Sequence, residues 1–304
     1  MSICDAQIIA DFLASPLMGK NIPVEAPATL DSAASRRVVF LKKLDEALLQ
    51  KITGIPELLV ILPLGFAAEQ LPPGCSAIAH ANPRFAFAQV LGKFFAKPKA
   101  TGIASTARVD PSARLGKDVV IGHYSVIGPG VVIGDRSEIR NHVVIASGVR
   151  IGADCLIKSG AVIGEEGFGF EKDGKGIQTR IPHVGSVTIG DRVEVGALTS
   201  ICCGTVDNTA IGDDTKIDDH VFIAHNVKIG KNCVIIAAAE VSGSVTLGDN
   251  AWLAPACTII NGVSVGADAL IGIGAVITKP VEPRAVMGGA RAQLLRYLEV
   301  ENAA

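Results

Sequence analysis

The sequence is poor in aromatic side chains and carries almost no net charge. Phe, Trp and Tyr make up 4% of its 304 residues, and 28 Lys and Arg nearly balance 30 Asp and Glu. This balance removes the broad basic surface that nucleic-acid-binding proteins usually carry, so no nucleic-acid partner is expected. With so few rings, the core must be built from the aliphatic side chains that dominate the 49% hydrophobic content.

Long apolar runs are also missing. No stretch of about 18 uninterrupted apolar residues occurs, so no membrane span is expected. Asp5 and Asp11 fall where a secretory signal would carry basic residues and then an apolar run. The seven cysteines are odd in number and none forms a CxxC pair, which favours a reduced protein in the cytoplasm.

Glycine is abundant, at 33 residues, and aliphatic residues recur with it at every sixth position. The period runs from Ile103 to Ile163, from Ile189 to Ile201 and from Ile211 to Ile277, and it is interrupted near 165–188 and 202–210. A period of six fits neither an amphipathic helix nor a hairpin meander. It is typical of a parallel β-helix of hexapeptide units, in which stacked coils bury a continuous aliphatic column. We therefore predict a mainly β protein.

The first hundred residues lack this period. Apolar runs predict strands at Val38–Leu41 and Leu58–Leu62, and the spacing of Phe87, Leu91 and Phe94 predicts a helix over Arg84–Phe95. These elements indicate a small α/β domain that is separate from the repeats.

These patterns divide the chain into three parts. Residues 1–100 form the α/β domain, residues 101–284 form the β-helix with its two insertions, and residues 285–304 form a tail. The tail is expected to end in a short helix that begins at Arg291.

Three segments carry motifs more specific than the hexads. They are Asn82–Ala88 (NPRFAFA), Val162–Phe170 (VIGEEGFGF) followed by Ile181–Gly185 (IPHVG), and Lys216–Val227 (KIDDHVFIAHNV). Together they resemble the UDP-3-O-acylglucosamine N-acyltransferases of lipid A synthesis (LpxD). The resemblance implies a left-handed β-helix that forms a cytoplasmic homotrimer with active sites between subunits. It also implies transfer of a hydroxyacyl chain from acyl carrier protein to the 2-amine of a UDP-linked, 3-O-acylated glucosamine, without a bound cofactor.

The same resemblance implies a catalytic set. His225 matches the family's base, Asp218 matches the carboxylate that orients it, and Gly243 matches a glycine whose N–H faces the thioester oxygen. These residue types suit acyl transfer, because an imidazole has a pKa near working pH and a carboxylate fixes its tautomer. The alternatives from the residues alone are a histidine that stacks between coils, an aspartate that caps a turn and a glycine that turns a corner.

Four further residues are predicted to bind substrate. Phe40 is expected to lie against uracil, although the second aromatic of a sandwich is missing from Leu41–Asp45. Phe168 and Phe170 either contact the sugar or pack the first insertion onto the coil. Asn226 either binds substrate or joins a ladder of stacked asparagines.

Departures from the family pattern keep other functions open. Gly262 stands where the family has a second histidine, and Cys202–Cys203 replaces an Asp-Arg pair. The ending Ala285–Arg291 resembles that of hexapeptide transferases that use acetyl-CoA. The second hypothesis is therefore N-acetylation of a nucleotide-linked amino sugar by acetyl-CoA for surface polysaccharide. Two weaker hypotheses are a purely structural solenoid and a zinc enzyme like the γ-class carbonic anhydrases, with His183, His220 and His225 as ligands.

Overall fold

The computed structural model describes residues 4–43, 46–66, 71–97 and 100–289. The chain divides into two compact units, Met1–Lys99 and Ala100–Ala304. The short helix expected from Arg291 lies outside the described residues. In the ranges that are described, no helix is long and apolar enough to cross a bilayer.

The first unit is an α/β layer around a five-stranded sheet. Its elements are β1 Cys4–Asp5, α1 Ala6–Phe12, β2 Leu17–Met18, β3 Pro23–Val24, β4 Ala26–Pro27, a 3-10 turn at Leu30–Ser32, β5 Arg37–Phe40, α2 Glu46–Ile52, β6 Leu58–Pro63, β7 Cys75–His80, α3 Pro83–Val90 and a π-helical turn at Leu91–Phe95. The sheet order is β2-β7-β6-β5-β4, in which only β2 pairs antiparallel to its neighbour. Both predicted strands are present, with their bounds shifted by one residue.

The predicted helix over Arg84–Phe95 is divided in two. It begins one residue earlier than expected, at Pro83, because the Asn82 side chain accepts the Phe85 N–H at 3.1 Å and caps the first turn. The α-helix ends at Val90, and a π-helical turn continues to Phe95. Phe87 and Phe94 still pack against the core of this unit, as their spacing indicates.

The second unit is a parallel β-helix, as the hexads predicted, and it is left-handed, as the resemblance implied. Each coil has three two- or three-residue strands, and strands one coil apart pair in parallel register. A regular coil takes 18 residues, as the pairing of Ile121 with Ile139 shows. The inward-facing aliphatic side chains form one continuous buried cluster. This cluster is the hydrophobic core of the unit, and it is aliphatic, as the low aromatic content predicted.

The strands stack into three sheets along the coil axis, which we number I to III in the order in which the coil that begins at Val120 passes through them. Sheet I contains Val120–Ile121, Glu138–Ile139, Leu156–Ile157, Glu194–Val195, Lys216–Ile217, Val234–Ile235, Trp252–Leu253, Leu270–Ile271 and Val286–Met287. Sheet II contains Arg108–Val109, Val126–Ile127, Val144–Ile145, Val162–Ile163, Ser200–Ile201, Phe222–Ile223, Glu240–Val241, Thr258–Ile259 and Val276–Ile277. Sheet III contains Arg114–Leu115, Val132–Ile133, Arg150–Ile151, Val187–Ile189, Thr209–Ile211, Lys228–Ile229, Thr246–Leu247 and Ser264–Val265.

Both interruptions of the period fall between sheet II and sheet III. The first lengthens one coil, so that Ile151 pairs with Ile189, and it contains a small antiparallel hairpin of Phe170–Lys172 and Gln178–Arg180. The second is shorter, so that Ile189 pairs with Ile211. The aliphatic column continues through both, because each extra segment leaves the coil at its corner and returns to the same corner.

Candidate functional site

The predicted site residues gather along one edge of the β-helix. We call the turns that lead from sheet II to sheet III the site edge. It holds both insertions and, in the coils that follow them, the turns that contain His225, Gly243 and Asn261. Sequence motifs that are far apart along the chain therefore stack on one another.

The ring of His225 is half-buried and is held by the side chain that follows it. Asn226 Nδ2 lies 3.1 Å from His225 Nδ1. The amide is oriented by Thr205, whose N–H donates to Asn226 Oδ1 at 2.7 Å. Because the amide nitrogen donates, Nδ1 of His225 is an acceptor and the neutral ring carries its proton on Nε2. Asn226 is thus a partner of the imidazole itself.

The opposite edge of the ring faces the next coil. A methyl group at Gly243 would lie 2.6 Å from His225 Cε1 and 2.8 Å from Nε2, so a side chain there would displace the imidazole. No acceptor within residues 100–289 takes up the Gly243 N–H. The missing side chain at Gly243 therefore lets this backbone segment lie close to the imidazole, and its N–H is left without an acceptor in this range.

The electrostatic setting of His225 favours its neutral form. Burial, and to a smaller extent repulsion from the ring of His183, lowers the pKa of His225 from its ordinary value of 6.5. At neutral pH the ring is therefore uncharged and can take up a proton.

Asp218 does not contact His225 within one chain. It lies at the corner between sheet I and sheet II, and its carboxylate accepts the Ala237 N–H at 3.2 Å. It also lines a separate groove of about 210 Å³ with Lys158, Glu194 and Lys216. In the described part of one chain, the ring of His225 hydrogen-bonds to Asn226 and to no carboxylate. Within one chain the two residues occupy different corners of the coil, so the orienting role of Asp218 would require contact between protomers and stays a prediction.

The first insertion places its aromatic residues over the site edge. Phe168 is 84% exposed, and its ring centroid lies 4.9 Å from that of Phe170. The Arg180 guanidinium stands 5.2 Å from the centre of the Phe170 ring and pairs with Glu166 at 2.8 Å. Phe170 is thus held by its own hairpin, whereas Phe168 is available to a ligand. Substrate contact by either residue stays a prediction.

Sequence reasoning missed three contributors to this arrangement. Thr205 in the second insertion orients Asn226, His183 in the first insertion packs its ring against His225, and Asn261 Oδ1 would meet a methyl group at Gly243 at 2.7 Å. The sequence did contain a signal for this grouping. Three hexads make one coil, so counting the hexads in threes places both insertions and the turn of His225 at the same corner of the β-helix.

The cysteines that replace the expected Asp-Arg pair are packing residues. Cys202 and Cys203 are buried, at 6% and 4% exposure. Burial, with a smaller contribution from Cys203, raises the pKa of the Cys202 thiol to about 11. Because a nucleophilic cysteine reacts as the thiolate, this thiol is poorly suited to catalysis.

The zinc hypothesis lacks a ligand set. No group of three His, Cys, Asp or Glu side chains in the described ranges is placed to hold a metal ion. His220 follows the Lys216–Ile217 strand at the corner between sheets I and II, away from the turn of His225.

Phe40 lies in the first unit, in a cavity of its own. The cavity has a volume of about 520 Å³ and is lined mainly by apolar side chains, with Lys42 at its rim. The rings of Phe40 and Phe87 are tilted to one another with centroids 5.0 Å apart. Phe87 therefore occupies one side of the Phe40 ring within this unit.

Comparison with known proteins supports the hexapeptide-repeat fold. The bacterial transferase hexapeptide (six repeats) model matches residues 112–147, 132–165 and 208–242. A UDP-3-O-acylglucosamine N-acyltransferase of Coxiella burnetii is 43% identical over 197 residues, which is 58% of this chain and 58% of that protein. Another, from Cytophaga hutchinsonii, is 53% identical over 85 residues, or 28% of this chain and 24% of its own length.

Over the matched region the chain is similar to UDP-3-O-acylglucosamine N-acyltransferases and carries the hexapeptide repeat. The homologous match to the Coxiella protein spans less than two thirds of either chain.

Solved structures of related acyltransferases share the fold of the homologous region. The UDP-N-acetylglucosamine acyltransferase of Francisella novicida is 28% identical with a TM-score of 0.57, over 62% of this chain and 67% of its own. The corresponding enzyme of Bacteroides fragilis is 26% identical with a TM-score of 0.56, over 61% and 70%.

Proposed function

We propose that the protein is an N-acyltransferase of lipid A biosynthesis. It moves an acyl group from an acyl carrier protein thioester to the amine of a UDP-3-O-acylglucosamine-like substrate. The observation that carries the proposal is the stack of Asn226, His225 and the Gly243 backbone on one edge of a β-helix homologous to these enzymes.

The reaction needs a base, an oxyanion donor and aligned reactants. The amine nitrogen attacks the thioester carbon while His225 Nε2 takes up the proton of the nitrogen, and the Gly243 N–H stabilises the negative charge on the carbonyl oxygen. The C–S bond then breaks, the proton passes from His225 to the departing sulfur, and the products are an amide and a thiol. No metal, redox cofactor or cysteine nucleophile enters these steps.

Proton uptake at Nε2 requires the tautomer that carries its proton on Nδ1. In the resting arrangement the proton is on Nε2, because Asn226 donates to Nδ1. Rotation of the Asn226 amide by half a turn would present Oδ1 to an Nδ1 proton and release Nε2 as the base, and it would break the hydrogen bond from the Thr205 N–H to Oδ1. Asn226 would then do what a carboxylate does beside a catalytic histidine, without its charge.

Substrate binding is assigned to two groups of aromatic residues. Phe40 and its apolar cavity suit the planar base of the nucleotide, and the exposed ring of Phe168 suits a sugar or acyl chain beside His225. Phe170 supports Phe168 through their ring contact.

A homotrimer with sites between subunits is part of the proposal. Sheets I and II carry large apolar side chains that remain partly exposed in one chain. They include Trp252 and Leu270 on sheet I, and Val126, Phe222 and Val276 on sheet II. Exposed apolar residues in such rows are typical of subunit interfaces. The seven free cysteines support a reducing, cytoplasmic location.

A thiol-release assay tests the activity. The protein is mixed with acyl carrier protein thioesters of several chain lengths or with acetyl-CoA, and with UDP- and dTDP-linked amino sugars. We expect turnover with a long-chain acyl carrier protein and a UDP-linked, 3-O-acylated sugar. Turnover with acetyl-CoA alone would favour the polysaccharide N-acetyltransferase, and no turnover with any donor would favour a structural solenoid.

Replacement of the base gives the matching test of the site. His225→Gln should lower kcat by about 10²–10⁴-fold, the usual contribution of a general base. His123→Gln is the control, because His123 has the same position in its hexad but lies at another corner. A His225→Gln variant with more than a tenth of wild-type turnover would contradict the assignment.

A further inference from the structure

A second histidine, His183, packs edge-on against His225. The ring centroids lie 5.2 Å apart with an interplanar angle of 72°. His183 belongs to the first insertion and is only 8% exposed. Its Nδ1 lies 3.0 Å from the carbonyl oxygen of Ile181, which can only accept, so Nδ1 carries a proton.

The other nitrogen of this ring has no partner. Nε2 of His183 is buried, and no donor or acceptor in the described residues reaches it. A buried polar atom without a hydrogen bond is unfavourable, and a phenylalanine ring would fill similar space without that cost. Packing alone therefore does not account for an imidazole at this position.

The backbone of the insertion closes over both rings. A methyl group at Gly167 would lie 3.1 Å from His225 Cδ2 and 3.2 Å from His183 Nε2. At Gly169 it would lie 2.8 Å from His183 Cε1. Both glycines allow the chain to pass this close, so the insertion, His183 and His225 form one packed layer.

We infer that His183 is a positioning residue for His225, one that fixes the plane of its imidazole beneath the first insertion. This inference rests on the proposed acyl transfer, in which His225 must be a neutral base of defined orientation.

The charges around His225 agree with this role. His183 is the titratable group that repels a proton on His225, and it adds to burial in lowering the pKa of His225. The groups that meet the ring from the other sides, Asn226 and the Gly243 backbone, are uncharged. Burial is the larger cause of the lowered pKa of His225, and residue 183 adds a smaller contribution to it.

Two substitutions separate this role from simple packing. His183→Phe keeps a ring and removes both nitrogens, whereas His183→Ala removes the ring. With histidine labelled at ¹³Cε1, the NMR titration of His225, assigned through His225→Gln, should move upwards in His183→Phe because the repulsion is removed, and it should stay below 6.5 because burial remains. The acid limb of the kcat/KM profile should move with it, while the Tm stays at or above that of the wild type.

His183→Ala should lower kcat by about tenfold or more, because the freed ring of His225 leaves its reactive orientation. Val184→Ala is the matched control, since Val184 is the neighbouring residue and its side chain is exposed. An unchanged His225 titration in a folded His183→Phe variant would overturn the inference, as would wild-type kcat in His183→Ala. The NMR titration needs no substrate, so it tests the coupling of the two rings even where no acyl donor supports turnover.

Discussion

At the scale of single residues, the orientation of His225 depends on an amide. Asn226 adopts a left-handed backbone conformation, with φ of 62°, which asparagine tolerates better than most residues. This conformation and the Thr205 N–H together direct the amide at the imidazole. The sequence motif around His225 indicated a catalytic histidine, but the motif alone could not show which neighbour binds its Nδ1.

Substitution of Asn226 tests this contact. Asn226→Ala should lower kcat by about 10- to 100-fold, because the ring loses the partner that orients it. Asn232→Ala is the control, since Asn232 has the same left-handed conformation but binds Asn250 instead of a histidine. Equal kcat values in the two variants would show that the backbone, and not the amide, is responsible.

Asn226→Asp gives a different expected result. A carboxylate accepts a proton from Nδ1 and stabilises the imidazolium, so the pKa of His225 should rise and ¹⁵N NMR should find the proton on Nδ1. The kcat should remain much closer to that of the wild type than in Asn226→Ala. A ring that keeps its proton on Nε2 in this variant would contradict the contact.

The pH dependence of the reaction follows from the lowered pKa of His225. The base is active when neutral, so kcat/KM should be constant near pH 7 and fall as the pH decreases through a value below 6.5. The measurement is the pH profile of kcat/KM with a saturating second substrate. An acid limb centred above 6.5 would mean that His225 is more exposed or paired with an anion.

At the scale of elements, the corners between strands decide what the β-helix can carry. The hexads predicted each inward aliphatic, because the direction of a side chain in a short strand is a local property. They did not predict the π-helical turn after Val90 or the hairpin in the first insertion. The tertiary packing around these segments determines their conformation, and no period in the sequence reports it.

Close contact between corners makes some glycines essential. A methyl group at Gly196 would lie 2.1 Å from the carbonyl carbon of Asp218 in the next coil, so the backbone of that coil would have to move. Gly196→Ala should therefore lower the free energy of unfolding by about 1–3 kcal/mol, seen as a lower Tm. Gly174→Ala, with no atom within 4 Å of the added methyl group, should leave the Tm almost unchanged. If Gly196→Ala and Gly174→Ala have the same Tm, the prediction is wrong, because the coil that contains Asp218 can then move away from residue 196 without loss of stability.

At the scale of the whole molecule, the two units have separate cores. One hydrophobic cluster is built from residues in 107–285, and two others from residues in 4–95. Each unit therefore buries enough apolar surface to have its own source of stability.

A shortened chain tests this independence. Residues 100–304 expressed alone should give a β-type circular dichroism spectrum and a cooperative thermal transition, because the aliphatic column is complete without the first unit. If the proposed function holds, the KM for the nucleotide-linked substrate should rise, since the Phe40 cavity is removed. A random-coil spectrum would show that the β-helix requires the first unit to fold.

The sequence by itself determined the coil, the approximate limits of the α/β unit and the identity of the central histidine, because period and motif are properties of short segments. The tertiary structure decided which side chains meet. Asp218 is close to His225 in sequence but lies at another corner, whereas His183 is distant in sequence and packs against it. The reason is geometric: a coil returns to the same corner once per turn, so contacts depend on the length of each turn and of its insertions, and not on separation along the chain.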